Sequence, residues 1–151
     1  TWMGLGSEGR REHTFRTDQD NALVFELVQD QKQRARVQEY FLSLATMAVS
    51  DLERTGHPRC RNNFMASNPK WCKDLGSWKR QFEEWIATPM TPEIFLSTIF
   101  FDFRAVAGDS SIAEDLRTRV ASRAQRFPQF LKFFVKYFLS MNRLCRSLPI
   151  L

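Results

Sequence analysis

No apolar run in this 151-residue chain reaches the ~18–20 residues that a membrane-spanning helix needs. The nearest, 127–141, is interrupted by Lys132 and Lys136, which argues against a membrane role. Cysteine is scarce. Cys60, Cys72 and Cys145 are odd in number and form no CxxC pair, and no signal peptide is expected. A disulfide framework is therefore excluded, and reduced thiols of a cytoplasmic protein are expected. His57-x-x-Cys60 together with Cys72 lacks the fourth ligand and the spacing of a zinc site. Internal repeats, low-complexity segments and readable Ser-His-Asp or Cys-His arrangements are also missing. Tyrosine is rare, with 2 against 14 Phe, so much of the aromatic material is core filling. The charge excess is small. Lys+Arg 22 against Asp+Glu 17 gives +5, which argues against nucleic acid as the partner and suits a compact polyanion such as nucleotide phosphate. Ordinary surface charge explains it equally well. There is no initiator Met. Thr1 stands directly before a motif and Leu151 follows a strongly apolar pattern, so a piece of a longer protein is expected.

The chain does have the material for a core, since 43% of residues are hydrophobic. Disorder is thereby excluded, and the length fits one domain, or a small domain with a helical appendage. Residues 2–5 read as a strand running into Gly6, and 8–15 as a short helix or loop. Residues 20–28 read as a second strand, apolar on both sides, which needs a sheet covered on both faces. Apolar residues recur at helical spacing over 33–54, and Gly56 and Pro58 end that helix. Residues 62–66 are a third-strand candidate. Asp74 or Ser77 caps a helix whose buried stripe is Trp78, Phe82, Trp85 and Ile86. The break at 88–90 marks the internal boundary. Thr91-Pro92 then opens a buried helix reaching about residue 107, with a strand over 99–103 as the competing reading. Ser110 or Ser111 caps the next helix, and a last one spans about 128–146. Its broad apolar surface calls for a further partner, either missing chain or a second copy. The aromatic stripes have the spacing of core faces rather than of base-stacking platforms.

The chemistry concentrates in residues 6–21, GSEGRREHTFRTDQDN. Asp18 and Asp20 precede an apolar run, and period-2 alternation puts both carboxylates on one face. Such a pair can hold Mg²⁺ or Mn²⁺. In nucleotidyl transfer one ion activates the attacking hydroxyl and another stabilises departing pyrophosphate. The Gly6-Ser7 turn offers backbone N–H groups and a hydroxyl to phosphates. Arg10, Arg11 and Arg16 lie near the same anion, and His13 either reaches it or stays a solvated loop residue. An Asx-rich turn before a strand is the plain alternative.

Gly6-Ser7, ten intervening residues and Asp18-x-Asp20 resemble the signature of the DNA polymerase beta-type nucleotidyltransferase superfamily. The fuller string GSEGRREHTFRTDQDNA is similar to one branch, the nucleotidyltransferases found in bacterial signalling proteins behind cyclic-nucleotide-binding and CBS domains. That branch is related to PII-protein uridylyltransferase and glutamine synthetase adenylyltransferase. Residues 63–71, Trp78 with Trp85, 100–104 and Gly108-Asp109 resemble it too. The resemblance implies an α+β fold, with a minimal polymerase-beta-type core (a small mixed sheet with helices) over 1–89 and a helical-bundle, substrate-binding domain over 90–151. It implies Gly6 and Ser7 in the phosphate role and Asp18 and Asp20 in the metal role. It also implies an NTP substrate, a hydroxyl acceptor on a protein or small molecule, and regulatory domains N-terminal to this segment. Gln19 and Asn21 depart from the superfamily, where apolar residues are usual. A third carboxylate often sits on the next strand, and 60–65 contains none. Asp102 is the substitute, being an acid amid Phe100, Phe101 and Phe103 that is costly to bury alone. A structural pair with Arg104 or another Arg is the alternative. Two functions follow: an active nucleotidyltransferase, or a catalytically weak or inactive nucleotide-binding regulatory domain. A helix-mediated homodimer is a further expectation.

Overall fold

The computed structural model describes residues 1–12, 14 and 17–146. His13 and Arg16, both considered for phosphate contact, lie outside the described residues. The elements are β1 (Trp2–Gly4), α1 (Gly6–Gly9), β2 (Asn21–Phe25), α2 (Gln31–Arg54), a 3₁₀ turn (Pro69–Trp71), β3 (Cys72–Asp74), α3 (Leu75–Ala87), α4 (Thr91–Phe100), β4 (Arg104–Ala107), α5 (Ser110–Gln125) and α6 (Pro128–Arg146). The four strands form one mixed sheet in the order β3-β2-β1-β4. β1 is antiparallel to both β2 and β4, and β3 is parallel to β2. The protein is thus α+β, a small sheet with helices around it and a helical C-terminal part.

The two-sided apolarity of β2 is satisfied as expected. All of its residues are buried. Ala22 and Val24 face a core built with Met3, Trp71, Trp78, Phe82, Phe100 and Leu116. Leu23 and Phe25 face a second core, with Ala45, Phe41 and Val37 of α2. The Phe25 and Phe41 rings stack at 4.6 Å. Trp78 is fully buried, and its indole N–H donates to the Leu23 carbonyl at 3.0 Å, so α3 is pinned to the middle of the sheet. Each large side chain buried this way contributes about 1.5–3 kcal/mol.

Several expectations need correction. The third strand is not 62–66 but Cys72–Asp74. Asn63 adopts φ 57° and its N–H closes a turn onto Cys60, so 62–66 curls instead of extending. The helix expected over 91–107 stops at Phe100. The chain reverses through 101–103, and Arg104–Ala107 pairs with the free edge of β1, a long-range bond pattern that overrides local helical spacing. No side chain caps α4; Met90 holds the cap position, not Thr91. Asp109, rather than Ser110 or Ser111, caps α5 by accepting the Ser111 N–H. The short helix near the motif is Gly6–Gly9, inside the Gly-Ser turn.

Asp74 caps α3. Its carboxylate accepts the Ser77 N–H at 2.9 Å and the Ser77 hydroxyl at 2.6 Å. Burial pushes this carboxyl up, but the Ser77 bonds and the charges of Arg80 and Arg34 outweigh it, and the net shift is downward. A depressed carboxyl stabilises the fold above its ordinary range, and that contribution is lost as pH falls through the ordinary value toward the folded one. Urea unfolding at pH 7 and pH 3 should therefore show Asp74→Ala costing about 1–2 kcal/mol at pH 7 and less at pH 3. An equal cost at both would refute the electrostatic account.

α6 leaves an apolar surface open. Phe130 is buried against Ile86 and Ile94, whereas Val135, Phe138 and Leu139 are each more than half exposed. Among the described residues, no helix is long and apolar enough to cross a membrane.

Candidate active site

The site is assembled where β1 ends and β2 begins. The Leu5 N–H donates to the Asp20 carbonyl at 2.9 Å, which draws the Gly-Ser turn against the carboxylate pair. Gly6 adopts φ +51°, a left-handed conformation that glycine takes without the strain a side chain brings. A Cβ there would lie 3.9 Å from an Asp20 oxygen, so the carboxylate sits over the turn. α1 opens at this point, and the first N–H groups of a helix have no acceptor within it. Donors for phosphate and an anionic side chain thus stand side by side. A phosphate on the turn would be repelled by Asp20 unless a cation lay between them.

Asp18 and Asp20 are half-buried, and Cys60 is buried. One ligating atom from each lies within 4.8 Å of the others. This donor set fits a divalent cation: two hard carboxylates, and a thiol from a separate segment. The Cys60 thiol is pushed up to about 11, first by burial and then by its hydrogen bond to Asp20.

Gln19 and Asn21 take the opposite role. Both are only 4% exposed. The Gln19 amide donates to the His57 and Val49 carbonyls at 2.8 and 3.1 Å. The Asn21 side chain accepts the Ala66 N–H at 2.8 Å, and its backbone N–H donates to Phe64. Alternation explains this: the aspartates point one way, and the amides between and after them anchor the segment to 57–66. Polar residues stand where apolar ones are usual because they hydrogen-bond backbone groups of 57–66 and the Val49 carbonyl of α2.

The structure also places the remaining candidates. Ser7 is half-buried beside Gly6, and Arg11 is exposed with φ 61°. Arg10 donates to Asp102 at 2.6 Å and to Glu12 at 2.8 Å, so Asp102 is paired with an arginine. Those two bonds, Asp102 first, raise the Arg10 pKa. Arg104 pairs with Glu8 rather than with Asp102. No spacing in the sequence makes Cys60 a neighbour of the aspartates; the parallel run of 58–60 alongside 18–20 brings it there. Asp74, the acid on the strand next to β2, stands beside Phe25, at the far end from Asp20. A cavity of about 220 Å³ opens next to the pair, lined by Gly4, Glu8, Gln19, Asp20, Asn21 and His57 among others.

Residues 1–92 match the family model described as Putative nucleotidyltransferase DUF294. The chain belongs to this family. No curated protein and no solved structure matches it. The nucleotidyltransferase match contains Gly6, Ser7, Asp18, Asp20 and Cys60, whereas Asp102 lies beyond it. Membership gives the carboxylate pair a chemical context, since nucleotidyl transfer depends on divalent metal to neutralise phosphate charge.

Proposed function

We propose that this chain is a divalent-metal-dependent nucleotidyltransferase that moves a nucleotidyl group from an NTP to a hydroxyl of a protein or small molecule. The observation that carries the proposal is the Asp20 carboxylate seated over the left-handed Gly6, with Asp18 beside it. The N–H groups of the turn and the Ser7 hydroxyl bind the phosphates, and Arg11 adds positive charge at the rim. Asp18 and Asp20 would hold the divalent cation. Once bound, the metal supplies activation of the attacking hydroxyl and stabilisation of pyrophosphate. The acceptor oxygen forms its bond to the α-phosphorus, the bond to the β-phosphate bridging oxygen breaks, pyrophosphate departs and the acceptor's proton goes to solvent. Gln19 and Asn21 keep the carboxylates in place during this exchange. The 220 Å³ cavity is smaller than the roughly 300–1,000 Å³ of a typical ligand site, so the sugar and base would extend outside it. The setting we propose is bacterial, cytoplasmic and signalling, with regulatory domains preceding this segment.

A second reading is a nucleotide-binding regulatory domain with weak or no catalysis. Its specific support is the engagement of Arg10 by two carboxylates and of Asp102 by Arg10. The two readings separate when protein, each NTP labelled at the α-phosphate, Mg²⁺ or Mn²⁺ and cell extract are incubated together. Label in an acceptor supports the enzyme, while metal-dependent binding without transfer leaves the regulatory domain. A homodimer over the exposed side of α6 is a separate proposal, and light scattering that reads a monomer at high concentration would remove it.

A further inference from the structure

Residues 58–60 run alongside 18–20. The Gln19 N–H donates to the Pro58 carbonyl at 2.8 Å, and Gln19 and Arg59 form a parallel β-bridge. In such a bridge the flanking residues emerge on the same side, which brings Cys60 next to Asp20. The position is that of a neighbouring strand, although the chain turns away after Cys60. Its thiol donates a hydrogen bond to Asp20, and the residue is 7% exposed. Asp102, the acid considered for a third ligand, is held by Arg10 at 2.6 Å.

We propose that Cys60 is the third ligand of the centre and that its sulfur makes the centre prefer a thiophilic divalent ion of the Zn²⁺ class to Mg²⁺. This rests on the proposed function only for the presence of a metal at Asp18 and Asp20. In the tetrahedral arrangement of zinc, donor atoms about 2.0–2.3 Å from the ion lie roughly 3.3–3.8 Å apart. The observed group, within 4.8 Å, closes on an ion by an inward movement of its side chains. Mg²⁺ demands a near-octahedral shell of oxygen and gives up its waters reluctantly, so a buried sulfur in its shell is unfavourable. Zn²⁺ accepts mixed sulfur and oxygen sets and, with three protein ligands, keeps a fourth position for water or a phosphate oxygen. As the sulfur–metal bond forms, the thiol proton passes to solvent.

The test is a Cd²⁺ titration of the full chain, because thiolate ligation of Cd²⁺ gives a charge-transfer band in the ultraviolet. The unaltered protein should develop this band to saturation at one Cd²⁺ per chain. Zn²⁺ should displace it readily, and Mg²⁺ only at an excess above about a hundredfold. Cys60→Ser should lose the band and bind Cd²⁺ at least about tenfold more weakly. Cys60→Asp should bind Cd²⁺ without the band and hold Mn²⁺ more tightly than the unaltered protein, which covers the case in which serine disturbs folding. Cys72→Ser should keep the band. Retention of the band in Cys60→Ser, or equal displacement by Mg²⁺ and Zn²⁺, overturns the proposal. Bandless Cd²⁺ binding that disappears in Asp18→Asn/Asp20→Asn removes Cys60 and leaves the metal centre standing. Failure of both Cd²⁺ and Mn²⁺ to bind removes the metal centre as well.

Discussion

Asp18→Asn/Asp20→Asn lowers nucleotidyl transfer by at least about a thousandfold, and the protein stays folded. The two halves of this result have separate physical causes. Both side chains are half-buried and lie ahead of β2, outside its buried core. The bonds that fix this segment come from the Asp20 carbonyl and the Gln19 and Asn21 side chains, none of which the substitutions touch. Asparagine has nearly the shape of aspartate, and its carbonyl oxygen can still accept from the Cys60 thiol. Its charge is gone, however, and a dication beside phosphate is held largely by that charge. Label transfer from an α-labelled NTP reads the first half and a thermal melt within about 2 °C of the unaltered protein reads the second. Undiminished transfer in the double variant would end the proposed function.

Gly9→Ala is expected to cost at least about 3 kcal/mol, or roughly 6–12 °C in melting temperature for a domain of this size. A Cβ at this position would overlap the Asp102 carbonyl oxygen and lie 2.6 Å from its carbon and 3.2 Å from the Phe103 Cα. All three neighbours are backbone, so no side chain can swing aside. To make room, α1 must separate from 102–103. That separation strains the Arg10–Asp102 and Arg104–Glu8 pairs and then the pairing of β4 with β1. Gly56→Ala is the contrast, because a Cβ there meets nothing within 4 Å and only the φ of +100° opposes it. Calorimetry of the two variants should show the larger fall for Gly9. A Gly9 melt no lower than that of Gly56 would mean that α1 is not clamped to the C-terminal half as described.

How much could be read beforehand depended on whether the deciding interaction was local. The alternation of Ala22, Leu23, Val24 and Phe25 announced a strand buried on both faces, because a strand's side-chain period is built into its backbone. The stripe of Trp78, Phe82, Trp85 and Ile86 announced α3, and all four are buried. Residues 91–107 went the other way. Helical spacing continues through Phe103, yet the free edge of β1 captures 104–107, since unpaired strand groups at a sheet edge outweigh a weak local preference. Asn63 and Asp109 likewise act through their own conformation and capping bond, which composition alone does not distinguish from neighbouring candidates.

At the candidate site the division is the same. By itself the sequence determined the Gly6-Ser7 turn and the spacing to Asp18 and Asp20, because a glycine-dependent turn and two carboxylates at i and i+2 are properties of short segments. Tertiary structure alone decided which atoms meet them. It laid 58–60 along 18–20 and so delivered Cys60, with Gln19 and Asn21 as the anchors. It also gave Asp102 to Arg10, more than ninety residues back along the chain, where a guanidinium and a carboxylate pair more favourably than either stands alone.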